Sequence, residues 1–160
     1  MEEPSPAELK DVREKMAAFC VYRERSQREV RDKLRQFPLS SAEVESLISE
    51  LIQHNFLNEE RFARAYVRGK FYQKGWGRRK IKAGLRYHQL SDYLLRKAFQ
   101  EIEGEDYREK LQQFLWKHRP SPRPARWTFQ ERGKLAQQAI RRGYESELVW
   151  QELDRLTGRG

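Results

Sequence analysis

The chain has 160 residues, 36% of them charged and 38% apolar, with a formal net charge of +9. A single cysteine, Cys20, excludes an internal disulfide and a cysteine-built metal cluster within the chain, and no apolar run approaches the ~18 residues needed to span a membrane. The acidic, proline-containing opening from Met1 to Pro6 does not resemble a signal peptide, so an intracellular, cytoplasmic protein is expected.

Apolar residues recur at i, i+3 and i+4 with no sustained alternation, which predicts an all-α chain. A first helix over about 7–23 places Leu9, Val12, Met16, Phe19 and Cys20 on one face. Ser26 suits an N-cap, Glu29 completes a capping box, and the second helix carries Val30 and Leu34 one turn apart. Pro38 interrupts, Ser41 caps again, and Val44, Leu47, Ile48 and Leu51 form the stripe of a third helix.

In the middle of the chain Asn58 caps a helix with Phe62, Tyr66 and Gly69 inward. Gly75-Trp76-Gly77 makes a turn, Ile81 and Leu85 begin the next face, and Ser91 precedes Leu94, Leu95, Ala98 and Ile102. In the last third Tyr107, Leu111, Phe114 and Leu115 belong to one helix, Leu135, Ala139 and Ile140 to a second, and Leu148, Val149 and Leu153 to a third. Three prolines within five residues forbid a regular helix over 118–127 and predict a loop. Tyr22, Phe62, Tyr66, Phe114 and Leu135 are read as core.

Aligning the second helix of each group matches Val30, Ile81 and Leu135, 51 and 54 residues apart. A period near fifty with three helices per unit predicts three tandem three-helix repeats forming an elongated, curved array. The repeats are read as 1–57 with a short N-terminal tail, 58–103, and 104–160 with its proline-rich loop. One compact nine-helix bundle with chance repetition is the competing architecture.

Charge is local. Residues 58–100 hold twelve Lys/Arg against three Asp/Glu, a net +9, while the flanking stretches nearly cancel. At ~100° per residue, Arg61, Arg64 and Arg68 fall in one arc opposite Phe62 and Tyr66, and Arg79, Lys82 and Arg86 repeat the device away from Ile81 and Leu85. Two such stripes joined by the Gly75-Trp76-Gly77 turn would line a basic groove suited to a polyanion or an acidic protein face. Solvated helix faces are the plainer account of any charge run, and Trp76 is explained either by helix locking or by contact with a partner.

Nothing in the sequence points to catalysis. His54, His88 and His118 are scattered without metal-ligand spacing, Gly75-x-Gly77 lacks the rest of a phosphate-binding fingerprint, and Cys20 falls on an inward helix face. No enzyme activity, metal or cofactor is expected.

Three stretches together resemble the RecX family of RecA regulators. The first is Tyr22-x-x-Arg25-Ser26-x-x-Glu29-Val30 with Leu34. The second and most specific runs from Phe56 to Val67, through Asn58-Glu59-Glu60-Arg61-Phe62, and continues with Lys70, Gly75-Trp76-Gly77, Lys80-Ile81 and Leu85. The third is Arg142-Gly143-Tyr144 with Val149 and Leu153. The resemblance implies three three-helix repeats and a protein that binds RecA and its nucleoprotein filament, usually limiting recombinase and coprotease activity in DNA repair, recombination and the SOS response. The expected contact set is Arg61, Arg64, Arg68, Lys70, Lys74, Trp76, Arg78, Arg79, Lys80, Lys82 and Arg86. A monomer with direct but weak DNA binding and no membrane partner is expected; a sequence-nonspecific DNA-binding helical module is the alternative.

The array makes a shape prediction. A compact globule of this length has a radius of gyration of about 15 Å, so small-angle scattering should return a clearly larger value, and a value near 15 Å would reject the elongated array.

Overall fold

A computed structural model describes residues 3–159; Met1 and Glu2 of the expected tail, and Gly160 of the third repeat, lie outside the described residues. Among the described residues the regular elements are all helices. In order they are α1 (Pro6–Tyr22), α2 (Gln27–Leu34), α3 (Ser41–Gln53), α4 (Glu59–Arg68), α5 (Arg78–Leu85), α6 (Asp92–Phe99), α7 (Asp106–Lys117), α8 (Phe129–Arg141) and α9 (Ser146–Thr157). A π turn covers Gly69–Gln73, and short 3-10 turns cover Arg86–His88 and Pro124–Arg126.

Local chemistry starts these helices. Full capping boxes pair Ser5 with Glu8, Ser26 with Glu29, Ser40 with Glu43 and Thr128 with Glu131, each satisfying two backbone N–H groups that the first turn leaves unpaired. Asn58 accepts the N–H of Arg61 at 3.0 Å, and Ser91 accepts that of Leu94 at 3.2 Å. The cap of α3 is Ser40 rather than Ser41, because only from Ser40 does the third residue onward, Glu43, close the box.

Packing gathers the chain into two compact units, residues 1–65 with 85–98 and residues 66–84 with 99–160. The first unit is built on Val12, Met16 and Cys20 of α1, Val30 and Leu34 of α2, Leu47, Ile48 and Leu51 of α3, and Leu57. Burial pushes the Cys20 thiol above its ordinary range, as expected of a small core residue and not of a nucleophile. Tyr22 corrects the sequence reading: it is 84% exposed. Two residues beyond Cys20 it lies ~200° round the helix, on the opposite face.

The second unit has an aromatic centre. Phe71 stacks on Tyr107 with centroids 5.7 Å apart, and Tyr107 meets Tyr144 at 5.3 Å. The Arg78 guanidinium lies 3.7 Å over the Tyr107 ring, whose oxygen accepts the Arg78 N–H at 3.0 Å and pairs with Glu145. Phe114 and Tyr66, read as core, are only half-buried. The inward residues around Tyr66 are instead Phe62 and Ala63 in the first unit and Val67 and Phe71 in the second. In the proline-rich loop Trp127 is buried, its Nε1 donating to the carbonyl and hydroxyl of Ser121 at 3.1 Å, so the loop is pinned from within.

A contact between two backbones ties the second unit together. The Gly77 N–H donates to the Arg142 carbonyl and the Arg79 N–H to the Gly143 carbonyl, both at 2.9 Å. Tyr144 caps the arrangement by donating to the Gly75 carbonyl at 3.1 Å. No side chain fits here: a Cβ on Gly77 would stand 2.3 Å from the Gly143 carbonyl carbon, and one on Gly143 would stand 2.5 Å from the Lys80 Cβ. Gly143 also has φ +107°, outside what other residues adopt without strain.

Gly77→Ala and Gly143→Ala should each cost about 3 kcal/mol, a Tm loss of roughly 6–12 °C at this chain length. Gly133→Ala on α8, where nothing lies within 4 Å of the added carbon, should stabilise by about 0.5–1 kcal/mol. Thermal melts of the three variants check both signs.

Candidate functional site

Counted by packing unit, the charge is more sharply divided than along the chain. The unit of 66–84 with 99–160 carries 19 Lys/Arg against 10 Asp/Glu, and the other unit carries 14 of each. The whole +9 resides in the second unit.

Within that unit the segment 66–84 contributes seven Lys/Arg and no carboxylate. Two of the seven are internally compensated: Arg68 pairs with Glu101 at 2.8 Å and Arg78 with Glu145 at 3.1 Å. Lys70 and Lys80 are placed on Trp76, their ammonium groups 4.7 and 4.4 Å from its ring, and the backbone N–H of Trp76 donates to the Lys70 carbonyl at 2.9 Å. A half-buried indole holding two ammonium groups is a fixed cationic platform. Lys74, Arg79 and Lys82 remain: all three are exposed and make no ion pair among the described residues. These are the cations left available to an outside anion.

In the first unit the expected stripe does not hold as a row of spare cations. Arg61 is a structural stitch, donating to Glu24 and to the Asn55 side chain at 2.9 Å and to the Asn55 carbonyl at 3.0 Å. Asn55 takes a left-handed φ of 62°, so Arg61 fastens the corner where the chain turns from α3 toward α4. Arg64 is half-buried and paired with Glu60 at 3.4 Å. Helical phase placed both residues on the outer arc correctly but says nothing about neighbouring carboxylates. Arg86 is exposed and makes no ion pair among the described residues.

Two side chains that matter were missed in the sequence. Arg142 donates from Nη2 to the Lys74 carbonyl, fixing the end of the π turn. It is the C-cap of α8, and the Gly143 that follows closes the helix with a positive φ, its N–H donating to the Ile140 carbonyl at 2.9 Å and that of Tyr144 to the Ala139 carbonyl at 3.2 Å. His88 lies in the first unit with Nδ1 2.7 Å from the Ser26 hydroxyl and 4.0 Å from Glu29, its ring 4.6 Å from Phe62 and 5.3 Å from Tyr87. Its partners are 62 and 59 residues away in sequence, so no local motif announces it.

Among the described residues no group of three His, Cys, Asp or Glu is placed to hold a metal, and no helix is long and apolar enough to cross a membrane. Fold and surface define an all-α helical-repeat protein with its net charge in one packing unit. The family model for the RecX second three-helix domain matches residues 58–98. Proteins named regulatory protein RecX are similar along most of the chain. The one from Haemophilus ducreyi is 28% identical over 125 residues, covering 78% of this chain and 79% of that protein. The one from Serratia proteamaculans is 29% identical over 112 residues, covering 70% and 64%. That from Streptococcus uberis is 26% identical over 131 residues, 82% of this chain but 50% of its own length; the chain thus spans about half of that relative. The crystal structure of RecX from Lactobacillus salivarius superposes with a TM-score of 0.80 at 20% identity, covering 92% of this chain and 96% of that one. The chain is thus similar to RecX proteins along most of its length, and residues 58–98 match the second three-helix domain of that family. Its relatives are named as regulatory proteins and not as enzymes.

Burial holds the His88 imidazole below its ordinary 6.5, opposed by Glu29 and Asp32 and reinforced by Arg23 and Arg28. A histidine with a depressed folded pKa is protonated more readily in the unfolded chain, so stability rises with pH through this window. It is complete above about 6.5 and is lost as pH falls toward the folded value. Melts between pH 5 and 7.5 should show Tm climbing with pH, and His88→Asn should flatten the climb; equal slopes in the two proteins would remove His88 as the cause.

Proposed function

We propose that this chain is a regulatory protein that binds the RecA recombinase and its nucleoprotein filament and restrains recombinase and coprotease activity during DNA repair. The similarity to proteins named regulatory protein RecX supports a regulator, and the RecX resemblance supplies the partner. One observation about this molecule carries the reading further: Lys74, Arg79 and Lys82 are exposed and without an ion pair among the described residues. They belong to the unit that holds the entire net charge.

A recombinase filament presents acidic protein wound around nucleic-acid phosphates. Lys74 and Lys82 act toward it as mobile point charges, and Arg79 offers a planar fork for a carboxylate or phosphate. Arg86 adds a further exposed cation from the first unit. Lys70, Trp76 and Lys80 supply a held platform of two charges on an aromatic ring. Arg61, Arg64 and Arg68 act mainly by fixing the fold, because each already faces a carboxylate within 3.4 Å. An intracellular partner makes the cytoplasm the place of action, and a monomer suffices for it.

Arg79→Glu, Lys82→Glu and Arg86→Glu combined should abolish inhibition of RecA-driven strand exchange while circular dichroism and Tm stay unchanged. Unaltered inhibition rejects these residues as the contact. Retained RecA binding with loss of binding to bare DNA would transfer the reading to a DNA-binding module.

A further inference from the structure

The second unit has a concave face that shares only Lys80 with the contact set above. It encloses about 680 Å³ and is lined by Lys80, Phe114, Lys117, His118, Arg141 and Arg142, with the amide of Gln138 completing it. No lining residue is acidic. Lys117 and Arg141 are exposed and make no ion pair among the described residues. Arg142 is anchored to the Lys74 carbonyl and Lys80 to the Trp76 ring, so two of the four full charges are held in place.

The plain explanation of cations here is helix chemistry. Lys117 ends α7 and Arg141 ends α8, with His118 and Arg142 as the C-caps, and basic groups are favoured at helix C-termini. Magnitudes decide against that being the whole account. A helix C-terminus carries a partial charge of about −0.5, so two of them offset about one unit. Four full positive charges therefore leave about three uncompensated, even with His118 left out.

The floor of the concavity is aromatic. The Phe114 and His118 rings are 4.4 Å apart, and Phe114 is only half-buried, so ring surface stays open beside the charges. Exposed Arg123 and Arg126 follow on the loop that leaves His118, a loop whose path the buried Trp127 fixes. Carboxylate-rich peptide would use the charges but not the rings. A nucleic-acid single strand uses both, since its phosphates are spaced along a line of cations and its unpaired bases present faces that stack on aromatic side chains.

We infer that the face formed by the C-terminal ends of α7 and α8 together with Lys80 is a binding site for single-stranded nucleic acid. Lys117, Arg141 and Arg142 take phosphates there, and Phe114 with His118 takes a base. This site shares Lys80 with the RecA contact proposed above; its test leaves Lys80 unaltered and contains no recombinase.

Fluorescence anisotropy of a labelled twenty-residue thymidine oligonucleotide tests it, titrated with the full chain at several salt concentrations. Lys117→Glu/Arg141→Glu should weaken binding about tenfold or more at low salt and reduce the salt slope by about 1.4, two contacts at ~0.7 each on a single strand. Lys117→Gln/Arg141→Gln, which removes charge without adding repulsion, should give the same slope change with a smaller affinity loss. Wild-type affinity and slope in both variants would overturn the site. Equal competition by poly-glutamate would overturn it in favour of an acidic peptide, and equal competition by tripolyphosphate at matched charge in favour of a free polyphosphate. An equal-length duplex that binds more tightly would overturn the single-strand assignment. Unaltered inhibition of RecA by the same variants leaves the inference standing, since the two readings are scored in different assays.

Discussion

Two glycines set the terms of the second unit. Gly77 and Gly143 bring their backbones together at a distance that excludes even a methyl group, and the hydrogen bonds exchanged across the contact tie the start of α5 to the corner between α8 and α9. Side-chain packing alone tolerates volume-conserving exchange, whereas backbone against backbone has no slack to give. The segment 66–84 has seven positive charges and no negative one, so it repels itself along its own length. Docking on a glycine corner adds to the burial of Val67, Phe71 and Ile81 in holding such a segment folded.

The same contact explains how the cations are apportioned. Once the segment is seated, Arg78 meets Tyr107 and Glu145, Arg68 meets Glu101, and Trp76 gathers Lys70 and Lys80. Partners from α7 and from the α6–α7 and α8–α9 connections thereby absorb charge that helps the unit fold. What they leave over faces outward. On the function proposed above, the recognition surface is a by-product of how the core is balanced, and changing Glu101 or Glu145 would alter that surface without touching it.

Much of this was legible in the sequence. Helix order followed from apolar spacing, and three helix starts followed from Ser26, Asn58 and Ser91, because a cap is decided by residues three or four apart. The matched positions Val30, Ile81 and Leu135 are all buried. Tyr22 was misread as core, although helical phase relative to Cys20 puts it outside. The ion pairs of Arg61 and Arg64 were not legible for a different reason. Phase gives a direction but no neighbours, and Glu24 lies 37 residues from Arg61. The cationic concavity was invisible because its parts lie at 80, 117–118 and 141–142, stretches that look unremarkable until the fold brings them together.

The π turn at Gly69–Gln73 has a consequence of its own. There the Lys74 N–H reaches back five residues to the Gly69 carbonyl at 3.1 Å, so this turn holds about one residue more than an α-helical turn would. That spare residue acts as a phase adjuster. Removing it would rotate everything downstream by roughly a quarter-turn or more about the helix axis, carrying Gly77 off Gly143 and turning Arg79 and Lys82 toward a different quarter of space. Insertions and deletions in this stretch are therefore unlike those in a surface loop: one residue more or less redirects the basic face as a body while leaving its composition untouched.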